Sequence, residues 1–162
     1  MVESDTTKQP TGLALYSQAA QKSAREVIYS YSTSFGLATR LIDPSTRRHI
    51  ESIYAMVRVA DEIVDGSAAQ AAEQAKTLDP EKEIQEFENN CYKAMELGYS
   101  TNLVLHAFGI TAREVGIEKD IVKPFFDSMK MDLTDKQHDE ASFKKYVYGS
   151  AEVVGLMCLR AF

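Results

Sequence analysis

Within the stretch YAMVRVADEIVDG, the residues Tyr54, Arg58, Asp61 and Asp65 recur at steps of four, three and four. On a helix that spacing puts all four on one stripe, with Glu62 one residue off it. Two carboxylates one turn apart can share a divalent cation. Mg²⁺ prefers oxygen ligands, keeps several waters, and typically bridges one or two carboxylates to the phosphates of a substrate. Arg58, one turn earlier, can hold a diphosphate oxygen through its planar fork. The stripe therefore has the parts to grip a diphosphate and to draw off negative charge as that group leaves. A plainer reading uses the same residues. Arg58 with Asp61 at i+3, or with Glu62 at i+4, is an ordinary helix ion pair, and Asp65 beside Gly66 is a solvated helix end, although acids there oppose the macrodipole. Context weighs on the choice: Ile53, Met56, Val57, Val59, Ala60, Ile63 and Val64 leave little polar circumference. A helix apolar nearly all round is buried, so its charges must pair or line a cavity.

A chain of 162 residues, 44% apolar and 26% charged, is enough for one ordinary globular domain with a sizeable core. The net charge of −6 disfavours nucleic acid as a partner and leaves an anionic ligand dependent on a bridging cation. No apolar run approaches the roughly 20 residues that span a bilayer. The opening MVESDTTKQPTG is polar and acidic where a signal peptide would be basic and then apolar. A cytoplasmic protein, at most peripheral to a membrane, is expected. Cys91 and Cys158 read as separate thiols without metal-ligand spacing, and His49, His106 and His138 form no ligand cluster.

The elements that must position the stripe are all helical. Residues 1–12 read as a disordered leader, broken by Pro10 and Gly12, and residues 13–162 as the structured part. A helix follows over 13–31, and Gly36 marks an irregularity before the next. Asp43-Pro44 and Asp79-Pro80 pair an N-cap acceptor with a proline at N1, opening helices that end at Gly66 and Gly98, the former as a left-handed stop. SAAQAAEQAKTL is either a mobile helix or an excursion. A further helix stops at Gly116, Pro124 kinks or restarts the one after it, and Ser142 caps the last. No segment shows sustained strand alternation, so the fold class is all-α. VVGLMCLRAF runs apolar and uncapped to the final residue, and the expectation is that the chain stops inside a larger domain.

Three blocks carry a resemblance. SYSTSFGLATRLIDPSTRRHIESIYAMVRVADEIVD resembles the opening of the squalene/phytoene synthase family, with Ser34-Phe35 followed by Tyr54, Arg58, Asp61 and Asp65 at the family's spacing. YVYGSAEVVGLM resembles its Tyr-containing Val-Gly helix, in a form most similar to bacterial phytoene synthases, and FFDSMKMDL the segment before that helix. The resemblance implies an isoprenoid synthase helical fold and head-to-head condensation of two prenyl diphosphates, farnesyl or geranylgeranyl, through an allylic cation and a cyclopropyl intermediate. It implies that Asp61 and Asp65 bind Mg²⁺, or Mn²⁺ in its place, together with one diphosphate. Arg58 would contact diphosphate oxygen and Tyr54 would help order the leaving group. Ser32, Ser34 and Phe35 would meet the pocket, while Tyr146, Val154 and Gly155 would line a prenyl channel. Asp132 is a lighter candidate for the pocket. The family's second acidic motif has no counterpart here, so the fold is expected to be incomplete, the chain inactive alone, and its apolar C-terminal helix a surface for a complementary half or for self-association.

Overall fold

The computed structural model describes residues 9–134 and 139–162, and among these every regular element is helical. The long helices are α1 (Gly12–Tyr31), α3 (Pro44–Asp65), α5 (Pro80–Leu97), α6 (Leu103–Val115) and α7 (Lys119–Thr134). Shorter ones are α2 (Thr33–Thr39), α4 (Ser67–Gln74), α8 (Glu140–Val147) and α9 (Val153–Ala161), the last two joined by a π-helical turn at Tyr148–Glu152. The greater part of the proposed leader and His138 lie outside the described residues.

Helix α3 is the hub: α1, α5, α6, α7 and α9 all pack on it. Asp43 caps it, accepting the Thr46 N–H at 3.0 Å, and Pro44 occupies the first turn, where its missing donor costs nothing. The Ser45 hydroxyl and that N–H hold the Asp43 carboxyl down at about 2. One side of α3 supplies Ile53, Met56 and Ala60 to a core completed by Ile84, Phe87, Phe108, Phe125, Phe126 and Met157. The other side meets α1 and α6 along a seam of small residues, Ala20, Ala24, Ala55 and Ala107. Cys91 and Cys158 are both free, the former buried in the main core.

Four local expectations need correction. Gly66 is not left-handed (φ −151°, ψ −122°); it is small because a Cβ there would lie 2.5 Å from the Glu62 carboxylate. The break after α1 falls at Ser32, the N-cap of α2, whereas Gly36 is inside α2 against the ring of Tyr29. Pro124 does not restart a helix: α7 runs continuously through it, with Val122, Phe125 and Phe126 around it buried. Asp139, not Ser142, caps α8, accepting the Ser142 N–H at 2.7 Å. SAAQAAEQ forms α4, with no buried residue.

Gly109 on α6 sets the approach to α5, since a Cβ there would stand 2.6 Å from the carbonyl oxygen of Ala94. Both backbones are fixed by their own helices, so neither can yield cheaply. Gly109→Ala is expected to destabilise the fold by about 1–3 kcal/mol, the usual range for overpacking, as read by denaturant unfolding.

Candidate active site

The stripe read from the sequence faces a cleft. Tyr54, Val57, Arg58 and Asp61 of α3 form one wall, Phe125 and Met129 of α7 another, and Tyr146 with Ser150 of the π turn the third, around a volume of about 300 Å³. Asp65 lies one turn beyond Asp61 at the exposed end of α3. Phe35 is outside the lining but packs against Tyr54 with its ring tilted 30°, centroids 5.6 Å apart. Ser32 serves as the cap of α2, its hydroxyl accepting the Phe35 N–H at 3.4 Å, and Ser34 is exposed. Val154 and Gly155 sit further along, on α9 and outside this cleft's lining; a Cβ at Gly155 would meet nothing within 4 Å. Asp132 is outside the cleft's lining and stands behind its third wall, accepting the Tyr146 hydroxyl at 3.1 Å.

Arg58 is held from three sides. Its Nη1 pairs with Asp61 at 3.1 Å, its Nη2 with Glu62, and its guanidinium lies 4.4 Å over the ring of Tyr31. Its Nε is buried with no hydrogen-bond partner, leaving a donor for a ligand. Glu62 works in two directions. One oxygen meets Arg58 and the other accepts the Ser67 N–H at 2.9 Å, capping α4. Those two hydrogen bonds, Arg58 first, hold its carboxyl below the usual range. Asp61 goes the other way: burial raises its carboxyl, Asp65 and Glu62 add to the rise, and Arg58 opposes it. Burial likewise raises the Tyr146 phenol, with Asp132, Asp61 and Asp65 adding to it. Tyr31, Phe125, Met129 and Ser150 were not singled out in sequence. Phe125 and Met129 read as plain core, and the place of Tyr31 depends on how α1 crosses α3.

A Ser–His contact elsewhere is a false lead. Ser17 Oγ is 2.9 Å from His106 Nε2, but Nδ1 accepts the Ser100 N–H at 3.1 Å, so the neutral ring donates to Ser17 instead of taking its proton.

The squalene/phytoene synthase family model matches residues 28–162. The chain belongs to the squalene/phytoene synthase family. Phytoene synthase 1, chloroplastic, of Solanum lycopersicum is 30% identical over 91% of this chain and 34% of its own length. The 15-cis-phytoene synthase of Pantoea ananas is 30% identical over 78% of this chain and 41% of its own. A crystal structure of a dehydrosqualene synthase in complex with ligand superposes with TM-score 0.73 at 19% identity, over 91% of this chain and 48% of that one, and shows the isoprenoid synthase helical fold. This family member thus spans a third to a half of the length of the relatives it matches. No helix of the described residues is long and apolar enough to cross a membrane.

Among the described residues no three acidic, imidazole or thiol groups gather around a metal position. The Asp61–Asp65 pair nevertheless fits Mg²⁺, which needs only one or two protein carboxylates alongside water and phosphate. Burial, with Asp65 and Glu62 adding to it against Arg58, holds the Asp61 carboxyl above its usual range, and a bound cation would favour its charged form.

Burying that carboxylate has a cost. A carboxyl whose folded pKa is raised binds its proton more readily in the folded chain, so ionisation opposes folding once the pH exceeds the ordinary carboxylate range. In metal-free buffer, Asp61→Asn is expected to melt above the wild type at neutral pH. The gap should close as the pH falls through the carboxylate range, as followed by circular dichroism.

Proposed function

We propose that this chain forms the substrate-ionising side of a phytoene/squalene synthase-type prenyltransferase, which condenses two prenyl diphosphates head to head with loss of diphosphate in carotenoid or isoprenoid synthesis. The observation that carries this reading is one cleft holding Arg58 and Asp61 against the apolar Val57, Phe125 and Met129. A diphosphate head and a hydrocarbon tail need these two surfaces side by side. Asp61 and Asp65 would hold Mg²⁺ or Mn²⁺, which when bound supplies positive charge for the departing diphosphate. Arg58 carries the remaining cationic contact, with its buried Nε–H available to a phosphate oxygen. Tyr54 stands beside it on the same stripe, its ring braced by Phe35. Val57, Phe125 and Met129 exclude water from the prenyl chain, which protects an allylic cation from hydrolysis.

Arg58 is one cation among Asp61, Glu62 and Asp65, so this face repels a free polyanion. Farnesyl diphosphate should accordingly bind only when Mg²⁺ is present, as measured by calorimetry. Asp61→Asn and Asp65→Asn are each expected to weaken that binding by about tenfold or more, the scale for disturbing a metal's donor environment. Wild-type affinity in both variants would refute the metal assignment.

A second reading, a non-catalytic helical subunit or fragment that takes a partner chain, is favoured by the outer face of α9. Leu156, Leu159 and Phe162 are 44%, 68% and 76% exposed there. The occupant that fits is a helical segment equivalent to the half of the synthase fold that this chain does not span. Incubation with labelled C15 and C20 prenyl diphosphates and Mg²⁺ separates the two. Turnover should require added C-terminal half, and product formed by the chain alone would overturn the need for a partner.

A further inference from the structure

Three contacts on one stripe of α7 converge on the segment of the opposite wall that carries Tyr146 and Gly149. Pro124, Ser128 and Asp132 are spaced by four and so share a face. Ser128 is 1% exposed, and its hydroxyl donates to the carbonyl oxygens of Tyr146 at 3.1 Å and Lys145 at 3.4 Å. One turn on, Asp132 accepts the hydroxyl of that same Tyr146 at 3.1 Å. One turn back, the carbonyl oxygen of Pro124 would stand 2.2 Å from a Cβ at Gly149, and Ser128 Oγ 2.0 Å from it. Only glycine lets the π turn lie this close to α7.

The serine sits where the α pattern gives way to the π turn. Its single hydroxyl proton is shared between the Lys145 carbonyl, which also accepts the Tyr148 N–H, and the Tyr146 carbonyl. Taken alone, a buried serine satisfied by a nearby carbonyl needs no functional account. Here it fastens the backbone of the tyrosine whose phenol the same helix also fastens. Tyr146 and Ser150 are, moreover, the residues this segment sends into the cleft.

We propose that Ser128 and Gly149 are positioning residues that lock the π turn onto α7 and thereby hold the Tyr146 phenol on Asp132, in the cleft wall opposite Arg58 and Asp61. The anchoring stands on this geometry alone; its consequence for ligand binding rests on the prenyl diphosphate reading above.

The test uses the full chain with ¹³Cζ-labelled tyrosine at neutral pH, the Tyr146 resonance being assigned by Tyr146→Phe. Asp132→Asn marks where that resonance falls without the carboxylate. Ser128→Ala is expected to move it toward the Asp132→Asn position with helix content unchanged, and Gly149→Ala to do the same. Ser52→Ala, which removes another buried hydroxyl remote from the cleft, should leave it in place. A Tyr146 resonance at its wild-type position in folded Ser128→Ala protein overturns the anchoring, whether or not Gly149→Ala folds. Calorimetry with farnesyl diphosphate and Mg²⁺ then reads the consequence. Weaker binding by Ser128→Ala than by wild type supports the positioning role, and equal binding overturns it. Absence of binding by the wild type removes the prenyl diphosphate reading, while the anchoring is still decided by the resonance.

Discussion

Arg58 is a single guanidinium set among Asp61, Glu62 and Asp65 on a helix that six others contact. Most of the site follows from how that charge is accommodated. A helix so deep in the fold must neutralise its ions locally, because an unpaired charge there is strongly penalised. Asp61 and Glu62 take the two terminal nitrogens, and the Tyr31 ring covers the guanidinium plane. The result immobilises Arg58 beside the cleft and still leaves the face with more negative than positive charge.

The architecture around α3 keeps that arrangement stiff. On one side it meets α1 and α6 through alanines, on the other the aromatic core of α5 and α7. Tyr31 reaches Arg58 because α1 is seated by the alanine seam, and Met129 and Phe125 reach the cleft because α7 rests on the aromatic core. The polar and greasy walls are thus set by two separate packing surfaces of the same helix.

Much of this was legible from spacing. Steps of four and three put Tyr54, Arg58 and Asp61 on one stripe, and the structure turns that stripe to a cleft. Asp43-Pro44, Asp79-Pro80, Gly98 and Gly116 marked helix ends through local chemistry that needs no tertiary partner. What escaped depends on neighbours distant in sequence. Glu62 caps α4 only because the chain turns back at Gly66, and α7 runs continuously through Pro124, with its flanks buried. The π turn has no period of its own, so the break between α8 and α9 could not be read from spacing. Ser142 looked like a cap because it is a good acceptor, but Asp139 three residues earlier took the position.

The π turn at Tyr148–Glu152 also sets the phase of everything after it. A π turn holds about one residue more than an α turn, so the helix beyond it is rotated by roughly a quarter turn relative to a continuous α-helix. Tyr146 and Ser150 can then look into the cleft while Val153 and Met157 look into the core, although in an unbroken helix all four would fall on one stripe. The segment is in this sense a gear of fixed tooth count. Changing an exposed residue such as Ala151 alters its surface, whereas deleting one residue would turn α9 by roughly 100° and carry Val153 and Met157 out of the core. Length, more than identity, is what the cleft and the core jointly demand of it.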